Sequence, residues 1–369
     1  MSTYPPTVCG LATFTQALVA QVRARGHRAG VVSVVDEPVP GQGRREVVAQ
    51  LVNGSAAARL RAAAALAAFD VVCLQHEYGI YGGERGEEVC ALLDALPMPV
   101  ITVLHTVLAE PLPRQRAIIE HVCAASARVV VMSGAALGRL RNAYAVDVSG
   151  ATVIPHGAHE NRRGQPPLSQ APPTILTWGL LGPGKGIEWG IDALACLDDV
   201  DPPPRYVVAG RTHPKVLERE GEAYRTQLQA RANVLGVGER VEFIDGFLAR
   251  ESLLALIRRA DVVLLPYDSR DQVTSGVLVE AVASGRPIVA TAFPHAVEML
   301  GDGTGLVVPH EKPAAIAAAL RRLCTEPGAA ATLARRTAEV ALGLAWPTVA
   351  GRYVALARRV LSERGASVA

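Results

Sequence analysis

The stretch Thr177–Gly190, TWGLLGPGKGIEWG, decides the fold. A short apolar run, TILTW at 174–178, stops at Gly179. A glycine-rich loop carrying Lys185 follows, and IEWGIDALACL then places apolar residues at helical spacing. Strand, glycine loop and helix together offer backbone N–H groups and a helix N-terminus to a phosphate. Gly179, Gly184 and Lys185 fit the G-x-x-x-x-G-K part of a nucleotide triphosphatase loop. The next position needs a Ser or Thr hydroxyl for magnesium, and here it is Gly186, so the ATPase reading is rejected. Taken alone, the loop reads equally well as a βα turn with a solvated lysine.

A second stretch, Asp268–Pro287, breaks the tie. The run DVVLLPY at 261–267 reads as a buried parallel strand, followed by the polar loop SRDQVTS. Thr274 or Ser275 can cap the next helix, and Gly285 with Pro287 ends it. That helix, VLVEAVA, is apolar all round except at Glu280. A carboxylate there is costly to bury unless something donates to it. Arg286 is one candidate partner. Sugar hydroxyls are the favoured one, because the Ser275–Gly276 amides on the same element face an anion.

Outward from these sites, apolar strand candidates alternate with alanine-rich helical segments. In the first half they are 28–35, 71–75, 100–105, 128–133 and 151–155. In the second they are 174–178, 205–210, 241–244, 261–267, 287–291 and 305–309. The pattern implies parallel sheets covered on both faces. The chain has 369 residues, more than one core accommodates. The Pro- and Gly-rich segment 156–173 reads as a linker. The expected division is 1–160, 161–345 and a last helix over 346–369 that crosses back to the first domain. Net charge is +2, which makes no case for nucleic acid. The six cysteines form no C-x-x-C pair, so no zinc or redox site is expected. No signal peptide is visible and no apolar run reaches the ~18 residues of a membrane span. A cytoplasmic location is expected, with peripheral membrane contact left open.

The motifs together resemble the retaining family 4 of the glycosyltransferases with the GT-B fold. The resemblance rests on GLLGPGKG at 179–186, VVAG at 207–210, VEFIDGF at 241–247, TSGVLVEAVASGRPIVAT at 274–291 and GDGTGLVVP at 301–309. The opening YPPTVCGLATFTQALVAQVRARGHRAGVVS matches as well. It implies two Rossmann-like, doubly wound domains facing across a cleft, the first binding the acceptor and the second the donor. Related chains carry a full first strand before Y-P-P. Here only Met1–Tyr4 precede Pro5, so a truncated first strand, or a start placed too late, is expected.

The resemblance also implies roles. Lys185 and the 275–276 amides would hold the donor diphosphate, and Glu280 the ribose. Family members place Arg after the first glycine, where this chain has Leu180. They also carry a first carboxylate of E-x7-E, where this chain has Gln272. A branch of the family has this Q-x-T-S-G form with a G-L-L loop. Gln272 can still hydrogen-bond a sugar, and Arg211, after a strand end, is a candidate replacement cation. Losing one charge-assisted hydrogen bond costs about 1.5–3 kcal/mol.

In the first half, LQHEYGIYGG at 74–83 follows a strand end, where ligands bind in open parallel sheets. His76, Glu77 and Tyr78 are expected to face the cleft, and Gly10 to let the opening loop approach a ligand. Cys9 is read as incidental. The family's histidine near the reacting carbon would be His105. Glu77 would act on the acceptor hydroxyl or fix His76 or a loop amide. The implied reaction is metal-independent hexose transfer from a GDP- or UDP-sugar, with no cofactor beyond that substrate. The acceptor would be a hydroxyl of a glycan, natural product or lipid-linked sugar. A phosphate-dependent disaccharide phosphorylase and a non-catalytic sugar-nucleotide-binding protein remain as alternatives. A nucleotide-sugar epimerase lacks motif support.

Overall fold

A computed structural model describes residues 1–41, 46–161 and 172–368. The chain divides into two compact units. The first comprises Met1–Gly157 with Trp346–Ala369, and the second Ala158–Ala345. The expected boundary at 160 therefore falls at 157, and within the expected linker residues 162–171 lie outside the described residues.

The first unit contains β1 (Val31–Val35), β2 (Val47–Val52), β3 (Val72–His76), β4 (Val100–Leu104), β5 (Arg128–Val131) and β6 (Ala151–Val153), all pairing in parallel. β2 was missed in the sequence. Its VVAQLV is mostly half-buried and pairs only with β1, so it lacks the long apolar run of a central strand. The sheet does not lose its middle at the first residues. Ser2 bridges to Ser33 of β1, and its N–H donates to the Val32 carbonyl at 3.2 Å. The Met1 carbonyl accepts from Gln75 of β3 at 3.0 Å. This short segment therefore joins β1 to β3 where a truncated strand was expected to leave a gap.

The helix Gly10–Ala24 packs with the last helix, Trp346–Val368, around Phe14, whose ring meets Trp346 edge-on at 5.0 Å. Cys9 is not incidental, because its Sγ accepts the Ala12 amide as N-cap of Gly10–Ala24. A further cluster of Ile101, Val103, Val130 and Met132 completes that core. Each large apolar side chain so buried contributes about 1.5–3 kcal/mol.

The second unit holds β7 (Thr174–Trp178), β8 (Arg205–Ala209), β9 (Val241–Ile244), β10 (Val262–Leu265), β11 (Ile288–Thr291) and β12 (Leu306–Val308), again all parallel. The strand order is β12-β11-β10-β7-β8-β9. The chain thus builds outward from β7 in one direction, then returns to build in the other. The β7–β10 junction is the switch point at which such sheets bind ligands beyond their strand ends. A buried relay fixes that junction: the Tyr206 hydroxyl donates to Thr177 Oγ1, which donates to the Leu264 carbonyl. Apolar clusters cover both faces of the sheet. Among the described residues no helix is long and apolar enough to cross a membrane.

Burial pushes three histidines of the first unit below the usual imidazole range. His76 falls to about 4, His105 to about 3 and His156 to about 4. Their neutral forms support the fold fully above pH ~6.5, and that support drains away as pH falls toward 4. Unfolding free energy measured in urea should therefore drop steeply between pH 6.5 and 4. His76→Phe should remove about one proton from the slope. An unchanged slope in that variant would contradict the assignment.

Candidate nucleotide-sugar site

The site is built where β7 ends. Gly179, Gly184 and Gly186 all take positive φ, at 126°, 87° and 60°, which is the conformation glycine permits. Gly186 is the N-cap of the helix Ile187–Ala195. A Cβ at Gly186 would lie 1.9 Å from the Pro266 carbonyl oxygen, so backbone meets backbone there. Two further ties hold the loop. The Asp268 amide donates to the Gly184 carbonyl at 3.0 Å, and Trp189 Nε1 donates to Asp268 Oδ1 at 2.7 Å. On its other side, the Leu181 amide donates to Arg211 and the His213 amide to Leu181. Arg211 is half-buried, and among the described residues no carboxylate is paired with it.

The helix Gly276–Ser284 forms the facing wall. Ser275 is its N-cap, with Oγ accepting the Leu278 amide at 3.2 Å, and Gly285 ends it at φ 68°. One expectation needs correction here. The Ser275 amide does not present itself to an anion, because it donates to His295 Nδ1 at 2.9 Å. The donors left at this N-terminus are Gly276 and Val277, the first amides of a helix that find no partner within it. Val277 stands next to the lysine loop, 3.6 Å from where a Cβ on Gly179 would be.

Glu280 reaches the same corner. It does not pair with Arg286, which donates instead to the Arg258 carbonyl. Its carboxylate accepts from Trp178 Nε1 at 3.3 Å, and burial raises it to about 7. Gln272 Nε2 donates to the Thr274 carbonyl at 3.2 Å, leaving Oε1 to accept a hydroxyl. Trp178, Tyr267 and His295 escaped the sequence reading. Trp178 and Tyr267 looked like ordinary strand residues, and His295 had no motif around it.

The first-unit candidates separate. His76 does not face a ligand. It is fully buried beside Tyr78 and Tyr81, at 5.2 and 6.4 Å between ring centroids. Both its ring nitrogens lack hydrogen-bond partners among the described residues. Glu77 does not fix His76 either. It accepts the Tyr78 amide at 2.9 Å and the Thr106 hydroxyl at 2.5 Å. Tyr78 is half-buried, with its hydroxyl 3.4 Å from the Gln115 carbonyl. His105, at the end of β4, pairs Nε2 with Gln75 Oε1 at 2.8 Å. With its pKa near 3 it is a neutral hydrogen-bonding group at physiological pH and not an acid. Gly10 is exposed at the start of its helix, with nothing within 4 Å of a Cβ built there.

The raised Glu280 carries a signed consequence. The buried charge destabilises the fold above pH ~7, and that cost fades as protonation proceeds toward pH 4.5. Glu280→Gln should therefore melt higher than the parent at pH 8 and equally at pH 4.5. If Glu280 accepts ribose hydroxyls, the same variant should bind UDP about 10-fold or more weakly. A lower melting point at pH 8 would show the carboxylate to be structurally required.

The second unit's site lies in a stretch that resembles a known family. The profile of the glycosyl transferases group 1 family matches residues 172–326. A D-inositol 3-phosphate glycosyltransferase of Salinispora arenicola is 28% identical over 355 residues, covering 87% of this chain and 76% of that protein. One from Kineococcus radiotolerans is 34% identical over 128 residues, covering 32% of this chain and only 29% of the relative's length. Among solved structures, Anabaena HepE in complex with UDP and glucose superimposes with a TM-score of 0.75 at 18% identity, covering 96% of this chain and 97% of that one. The chain has the GT-B fold, and the stretch that carries Lys185 and Glu280 is similar to the glycosyl transferases group 1 family.

Proposed function

We propose that the chain is a retaining glycosyltransferase that moves a hexose from a nucleoside-diphosphate sugar to a hydroxyl acceptor without a metal. One observation carries the reading. The lysine loop, the open amides of Gly276 and Val277, and the Trp178-bound Glu280 converge at the switch point of one sheet. Cation, helix N-terminus and hydroxyl acceptor are the groups a diphosphate joined to a ribose requires. The UDP and glucose of HepE favour a UDP-sugar over a GDP-sugar. The names of the curated relatives favour a polyol or sugar hydroxyl as acceptor. The ends of β3 and β4 in the first unit are where that acceptor would bind.

In the proposed reaction the bond between the anomeric carbon and the diphosphate oxygen breaks. The acceptor oxygen bonds to that carbon on the same face. The acceptor proton passes to the departing phosphate, so no protein base is needed. Lys185 and the helix amides stabilise the charge that develops on the leaving group. Glu280 and Gln272 hold hydroxyls and thereby fix the donor's position.

Transfer of label from UDP-glucose, GDP-mannose and related donors to a panel of hydroxyl acceptors tests the reading. Label should move with retained anomeric configuration and at an undiminished rate in EDTA. Lys185→Ala should lower kcat/KM roughly 10²-fold. Phosphate-dependent release of sugar 1-phosphate would instead establish a phosphorylase. Nucleotide binding without any transfer would establish a binding protein.

A further inference from the structure

We propose that Tyr267 is a positioning residue that aims Lys185 at the donor phosphates. The inference rests on the phosphate-binding role given to Lys185 above. Lys185 Nζ lies 4.3 Å from the centroid of the Tyr267 ring, within the range where an ammonium is attracted to an aromatic face. The ring is held firmly. Tyr267 is 1% exposed, and its ring stacks on Phe293 with centroids 5.2 Å apart and planes 24° from parallel. Its carbonyl pairs with Thr291 Oγ1 at 2.5 Å and His310 Nδ1 at 2.8 Å. The lysine's own backbone is fastened to the same segment, since Asp268 donates to Gly184 and Gly186 abuts the Pro266 carbonyl. Platform and cation are therefore parts of one rigid corner.

The arrangement answers a specific need. A lysine side chain is long and rotatable, and ordering it on binding costs entropy. A carboxylate partner would order it but would also compete with the phosphate for its charge. Among the described residues no carboxylate pairs with Lys185. An aromatic face orders the ammonium while leaving its charge and most of its protons available. With Leu180 where the family pattern has arginine, this single pre-ordered cation carries more of the diphosphate's charge. The Tyr267 hydroxyl is buried without a hydrogen-bond partner among the described residues, so the ring is the working part and the hydroxyl is dispensable.

The sequence contains three lysines, Lys185, Lys215 and Lys312, which makes the test direct. Reductive dimethylation with carbon-13 formaldehyde gives three side-chain NMR signals, with Lys185→Arg assigning one. The Lys185 methyl signal should lie upfield of the other two, moved by the ring current. It should keep that shift in Tyr267→Phe and lose it in Tyr267→Leu. Calorimetry with UDP and with pyrophosphate then supplies a cycle. Tyr267→Leu should weaken both ligands about 3–10-fold when Lys185 is present and have no further effect in Lys185→Ala. Tyr267→pentafluorophenylalanine keeps the shape and reverses the ring's charge distribution, so it should weaken binding where Tyr267→Phe does not, even if Tyr267→Leu fails to fold. An unshifted Lys185 signal, or equal losses in both lysine backgrounds, overturns the proposal. A shifted signal in a parent protein that binds neither ligand overturns the phosphate reading of the site, and the positioning role with it, while leaving the ring–lysine pairing in place.

Discussion

Two backbone contacts set the geometry of the whole second unit's site. A Cβ on Gly186 would lie 1.9 Å from the Pro266 carbonyl oxygen, and one on Gly210 would lie 1.8 Å from that of Gly179. No side chain of any kind fits either place, so the loops after β7, β8 and β10 touch through bare backbone. That closeness lets the Asp268 amide reach Gly184 and the Leu181 amide reach Arg211. Three loops that would otherwise move separately become one surface. Lys185, Glu280 and the first amides of Gly276–Ser284 inherit their placement from it.

The charge arrangement on this surface follows a simple logic. Relative to the family pattern, Leu180 removes one positive group and Gln272 one negative group. Lys185 is set over an aromatic ring, and Glu280 stands in an apolar helix. Burial raises that carboxylate to about 7, so it stands between its two forms near neutral pH.

The first unit treats its ionisable groups differently. His76, His105 and His156 are kept neutral by burial, and Phe14 lies edge-on to His105 and to His156 at 5.0 Å each. These histidines bear on stability first. His76 ends β3 and is fully buried, whereas His105 follows β4 with its ring nitrogen fixed by Gln75.

The sequence by itself determined the parallel α/β class, the strands around 174–178 and 241–244, and the capped helix over 276–284. These depend on local patterns: apolar runs, glycine spacing and cap residues whose physics acts within one turn or one strand. It did not reveal β2, whose half-buried residues lack a core strand's signature. Nor did it reveal that His76 is buried, that Ser275 gives its amide to His295, or that Trp178 and Tyr267 lie against Glu280 and Lys185. The last two join residues 20 to 102 positions apart. Side-chain direction and solvent access at such pairs are set by packing between elements, which only the tertiary structure decides.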